Sequence, residues 1–116
     1  MKDRERRLAE NEALFREVNE RVSDVNEEWA SQGVGTEPFG IVCECARERC
    51  ADTIELTRAE YEAVRAHGAR FAVRPGHDVG DVEIVIERRA DYWIVEKTGG
   101  SRPYVERLDP RARSRA

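Results

Sequence analysis

The segment Cys43-Glu44-Cys45-Ala46-Arg47-Glu48-Arg49-Cys50 constrains this chain more than any other, because it gathers all three cysteines of 116 residues. In an extended strand, side chains two apart share a face, so Cys43 and Cys45 point together with Glu44 opposite. A tight turn through residues 46–49 then returns Cys50 to the same point. Three small buried hydrophobes would also account for three cysteines. The charged neighbours Glu44, Arg47, Glu48 and Arg49 speak against that and for a metal or redox site. Charged residues make up 38% of the chain and apolar ones 40%, which leaves a modest core that a metal would staple.

A structural zinc site takes four ligands in a tetrahedron of cysteine and histidine. The chain holds two histidines. His77 follows a short strand (Phe71-Ala72-Val73) and a Pro75-Gly76 turn, a rigid placement. His67 sits at a helix end, where the helix dipole explains a histidine without any ligand role. The expected set for Zn2+ is therefore Cys43, Cys45, Cys50 and His77. His67, a carboxylate or water are the alternatives for the fourth position. Arg47 or Arg49 would offset the site's negative charge.

Residues 1–33 read as one long amphipathic helix. No proline or glycine interrupts Asp3 to Gln32, and Gly33 supplies the stop. Leu8, Phe15, Val22 and Trp29 recur every seven residues, with Asn11, Val18 and Val25 between them. That is a coiled-coil seam, in which the polar Asn11 would fix register. The stripe either lies on its own domain or pairs outside it, most simply in a homodimer or with a protein partner.

Residues 34–108 form the expected metal-binding α+β domain, and 109–116 a disordered basic tail. Gly35, Pro38 and Gly40 mark a linker. Strands are expected near 41–45, 53–56 and 71–73, and a hairpin at 82–87/92–97 with Val82, Ile84 and Ile86 lining one face. Thr57-Arg58-Ala59-Glu60 is a capping box, with Leu56 and Tyr61 as its hydrophobic staple, and opens a helix running to about Ala66. Tyr104-Val105 would add an edge strand or a last turn. The fold class is α+β: a long N-terminal helix, a small, mainly antiparallel sheet and one short helix, stapled by zinc.

A net charge of −4 and pI near 5.3 argue against a nucleic-acid binder held by phosphate contacts. No apolar run approaches the length of a membrane span, and the N-terminus is too charged for a signal peptide, so a cytoplasmic protein is expected. In that compartment clustered cysteines serve as thiolate ligands rather than disulfides. The sequence carries no phosphate-binding glycine loop, His-Glu-x-x-His or Gly-x-Ser-x-Gly, so an enzyme ranks last. An interaction or regulatory module with structural zinc ranks first. A thiol-based redox sensor that releases the metal on oxidation is the alternative.

With Asn11 to Arg21, Cys43 to Cys50, Leu56 to Arg65, Arg70 to His77 and Asp109 to Arg111 in view, the chain resembles a family of short bacterial proteins with no assigned activity. Its motifs run Asn-Glu-x-Leu-Phe-Arg, Cys-Glu-Cys-x4-Cys, Glu-Tyr-x-x-Val-Arg and Pro-Gly-His, and cover nearly the whole chain. The resemblance implies Cys43, Cys45, Cys50 and His77 as the functional positions and leaves His67 outside.

Overall fold

The computed structural model describes residues 1–34, 37–47 and 49–112. In chain order the elements are helix α1 (Asp3–Ser31), strands β1 (Phe39–Val42) and β2 (Thr53–Leu56), helix α2 (Arg58–Arg65), strands β3 (Arg70–Val73), β4 (Glu83–Arg88) and β5 (Trp93–Lys97), and helix α3 (Ser101–Leu108). Both sheets are antiparallel: a β1–β2 hairpin, and a three-stranded sheet in the order β3-β5-β4. The α+β class with a long first helix holds. The strands fall into two sheets rather than one, and the chain leaves the β1–β2 ladder after Cys43.

The three-stranded sheet has apolar residues on both faces. Ala72 and Ile94 join Phe39, Ile41, Ile54, Leu56, Tyr61 and Val64 on the side of β1, β2 and α2. Phe71, Val73 and Val95 face the other way, where Ala9 of α1, Val105 of α3, Cys43 and Cys45 pack. The capping box forms as the sequence predicts: Thr57 Oγ1 accepts from Glu60 N–H at 3.2 Å, and Thr57 N–H donates to Glu60 Oε1 at 2.8 Å. Leu56 and Tyr61 are both buried.

Four expectations need correction. First, Ile84 and Ile86 point to solvent while Glu83 is buried. A one-residue shift exchanges the two faces of a strand. Here the inward position goes to Glu83, which meets the buried ammonium of Lys97 at 3.4 Å; the ladder then slips between Val85 and Glu87. Second, Tyr104 and Val105 belong to α3. Gly99 turns the chain at φ 61° before that helix, and Pro103 sits in its first turn, where no backbone donor is needed. Third, the expected disordered tail is tied down through Ala112. Asp109 is buried against the Arg65 guanidinium, and Arg111 donates to Glu20 (2.7 Å) and to Glu62. Residues 113–116 lie outside the described residues.

The fourth concerns α1. The face it lays on the domain is not the heptad seam but Ala9, Glu12, Ala13, Arg16, Asn19, Ser23 and Asn26. These side chains dock by polar contacts. Glu12 pairs with Lys97 at 2.6 Å, and both side chains are fully buried. Arg16 donates to the carbonyls of Gly68 (2.6 Å) and Val105 (2.7 Å), and stacks 4.7 Å over the Phe71 ring. Asn26 Oδ1 accepts from Arg58 at 2.5 Å. Along the seam, Leu8, Asn11, Phe15 and Val22 are half-buried, while Val18, Val25 and Trp29 are exposed.

Candidate metal centre

All four expected ligand residues meet. One donor atom each from Cys43, Cys45, Cys50 and His77 lies within 4.8 Å of every other. Cys43 Sγ and Cys50 Sγ are each 3.6 Å from His77 Nδ1. His67, exposed at the end of α2, takes no part. The cluster can hold one metal ion in the pocket that its four donors surround.

The cysteines sit on the connection between β1 and β2. Cys43 N–H donates to Asp52 O at 2.8 Å, extending the hairpin one step past Val42 and Thr53. The chain then leaves the ladder, carries Cys45 inward and turns back through a bond from Cys50 N–H to Arg47 O at 3.2 Å. Cys43 and Cys45 are buried and Cys50 is half-buried. The expected strand at 41–45 therefore ends at Val42. His77 comes from the turn after β3. Its N–H donates to Arg74 O at 3.0 Å, and Gly76 adopts φ 84°, the positive value required at the third position of a type II turn that begins Arg74-Pro75. A Cβ at residue 76 would be strained there, so this turn fixes where the ring points.

Three features around the donors escaped the sequence reading. Arg74 N–H donates to Cys43 Sγ at 3.2 Å, a contact that favours thiolate. Asp52 Oδ2 faces His77 Nε2 at 3.6 Å, on the side of the ring away from the sulfurs. This is the position from which carboxylates commonly orient ligating histidines. The third is Glu44, buried rather than turned to solvent. Its N–H donates to Ala72 O (2.9 Å), and its Oε1 accepts from Ala72 N–H (3.0 Å), so it occupies the outer edge of β3 and joins the two sheets. Its Oε2 accepts from Asn19 of α1 at 2.9 Å. Asn19 also brackets Val42, donating to its carbonyl (2.7 Å) and accepting from its N–H (2.8 Å). Asn11, placed by the sequence in a helix seam, instead donates to Cys45 O at 3.3 Å. Two asparagines of α1 thus hold the backbone on which the cysteines are mounted.

The electrostatics divide the thiols. Cys45 is drawn down to about 5, chiefly by a hydrogen bond from Cys43, with the Arg47 backbone amide and His77 assisting. Cys43 is pushed up because it is the donor in that bond and because it is buried. Burial also raises Cys50. Arg47 acts through its backbone, not through the side-chain charge that the sequence suggested; both Arg47 and Arg49 are exposed.

Set against protein-family profiles, curated proteins and solved structures, the chain matches none of them. Function therefore has to be argued from the site itself.

Proposed function

We propose that this protein is a small zinc-binding interaction module, in which the metal is structural and the outer face of α1 receives a partner. The spacing of the donors carries the zinc reading. With Zn–S near 2.3 Å and Zn–N near 2.05 Å, a sulfur and a nitrogen on one tetrahedral zinc stand about 3.6 Å apart. Both Cys43 Sγ and Cys50 Sγ have that separation from His77 Nδ1. Three thiolates and an imidazole also suit zinc better than the hard cations, which take oxygen ligands. Four protein ligands close the coordination sphere and leave no position for water or substrate, the mark of a structural site rather than a hydrolytic one. Zinc so bound would tie the β1–β2 connection to the turn after β3, adding to the hydrogen bonds of Glu44 with Ala72 and of Arg74 with Cys43.

The test is metal content with ligand variants. Purified protein should carry one zinc per chain, and His77→Ala should lower zinc affinity by at least about tenfold. His67→Ala should change nothing. Equal affinity in all three proteins would remove His77 from the site.

A second reading is favoured by the half-exposed Cys50, the one thiol of the cluster open to small reagents. Hydrogen peroxide would take two electrons from a pair of the thiolates, form a disulfide, leave as two waters after uptake of two protons, and release the metal. Zinc lost reversibly on peroxide treatment, with a disulfide formed, favours this sensor. Zinc retained favours the structural role.

A further inference from the structure

The outer face of α1 is apolar, open and bordered by acid. Leu14, Val18, Val25 and Trp29 are between 39% and 55% exposed and line a groove of about 830 Å3 whose far wall is the start of β1 at Pro38 and Phe39. With half-buried Val22, the wall residues on α1 follow one another at spacings of four, four, three and four, the seam into which the knobs of a second helix fit. From Leu14 to Trp29 the seam runs about 22 Å along the helix axis, some four turns. The groove is distinct from the metal centre: none of the four donor residues lines it.

Charge decides which helix fits. Glu10, Glu17 and Asp24 recur every seven residues beside the seam, Arg21 falls between the last two and Glu28 follows one turn on, and all five are exposed. Four acids thus stand against one base along this flank. On the β1 side, the Arg58 guanidinium is held by Asn26 (2.5 Å) and Glu27 (3.9 Å) and lies 5.9 Å over the Phe39 ring, so its charge is already met by an acid at that edge of the groove. A two-fold dimer sets the same patch of one copy against itself. With the two helices antiparallel, it would set this flank against the same flank of the mate, acid mostly facing acid, a repulsive arrangement. A partner helix with lysines or arginines beside its apolar seam meets the same flank with opposite charge.

We propose that this groove docks an amphipathic helix with basic flanks from another protein, and that the acidic flank selects it over a second copy of this chain. The proposal rests on the reading of the outer face as an interaction surface, and it is independent of the metal. Docking would bury the indole of Trp29 and draw the partner in along the acidic flank, so affinity should fall with ionic strength.

The test uses the full zinc-loaded chain and three synthetic helical peptides with one leucine seam, flanked by lysine, by glutamine or by glutamate. Fluorescence anisotropy reads binding, and a blue shift of tryptophan emission reports burial of Trp29. The lysine peptide should bind at least about tenfold tighter than the glutamine peptide at low salt, with the margin shrinking as salt is added. Val18→Asp together with Val25→Asp should abolish binding. Because these changes make the protein more acidic, attraction by charge alone would strengthen binding to the variant, and that result overturns groove docking. Equal binding of the lysine and glutamine peptides, lost in the variant, keeps the interaction face and overturns the basic partner. A wild-type protein that sediments as a dimer, and becomes a monomer in the variant, overturns the proposal in favour of a second copy. If no peptide binds and the protein is a monomer, the proposal and the interaction-face reading both fail, whatever the zinc content.

Discussion

The two long faces of α1 reverse the usual arrangement of an amphipathic helix. The inner face carries Glu12, Arg16, Asn19 and Asn26 and is buried; the outer face carries Leu14, Val18, Val25 and Trp29 and is exposed. Burial here does not follow hydrophobicity. It follows partners: Glu12, Arg16, Asn19 and Asn26 all meet counterparts on the domain, from the Lys97 ammonium to the carbonyls of Val42, Gly68 and Val105. Buried polar groups are tolerated when they are hydrogen-bonded, and each becomes costly if its counterpart is removed. Such contacts fix how the helix sits on the segment that carries the cysteines. The outer stripe has no such counterpart among the described residues, and it stays exposed.

The largest expected effect comes from breaking the buried charge pair of the inner face. Lys97→Met would leave Glu12 and Glu83 buried without the ammonium between them. Removing one member of a buried pair typically costs 3–5 kcal/mol, here about 4, read as a lowered urea midpoint. A loss under about 1 kcal/mol would mean that α1 is held mainly by its apolar contacts. Next comes Asn19→Ala, which leaves Glu44 and both backbone groups of Val42 short of partners. About 1–3 kcal/mol should be lost, and zinc affinity should fall as well, because Val42 and Glu44 flank Cys43. Unchanged zinc affinity would separate the helix from the metal centre. The smallest effect belongs to the outer face. Val18→Asp should shift stability by no more than about 0.5 kcal/mol, as expected for an exposed position. A cost several times larger would show that the outer stripe is part of the fold.

The same contrast explains what could be read in the sequence. The meeting of Cys43, Cys45, Cys50 and His77 was legible because cysteine spacing and a Pro-Gly turn before histidine restrict the backbone locally. Thr57 to Tyr61 was legible for the same reason, since a capping box and its staple are contacts between near neighbours. The orientation of α1 was not. Its sequence carries a second set of seven-residue repeats, Glu12-Asn19-Asn26 beside Ala9-Arg16-Ser23, which an apolar-seam reading passes over. Only tertiary partners distant in sequence make that polar stripe the inner one. Glu83 hid in the same way: alternation along β4 favoured Ile84 and Ile86, and only Lys97, fourteen residues away, gives the carboxylate a reason to point inward. For Glu44 the strand pattern fixed only that it points away from the thiols; that Asn19 and the edge of β3 enclose it depends on partners distant in sequence.

The central claim is that one zinc ion holds the β1–β2 connection to the turn after β3. It is tested most directly by measuring zinc content and thermal melting on the same sample before and after chelation. One zinc per chain is expected, with a melting temperature that drops by tens of degrees or a melting transition that vanishes on chelation, and recovery when zinc is restored. Metal-free protein that melts at the temperature of the untreated sample would contradict it.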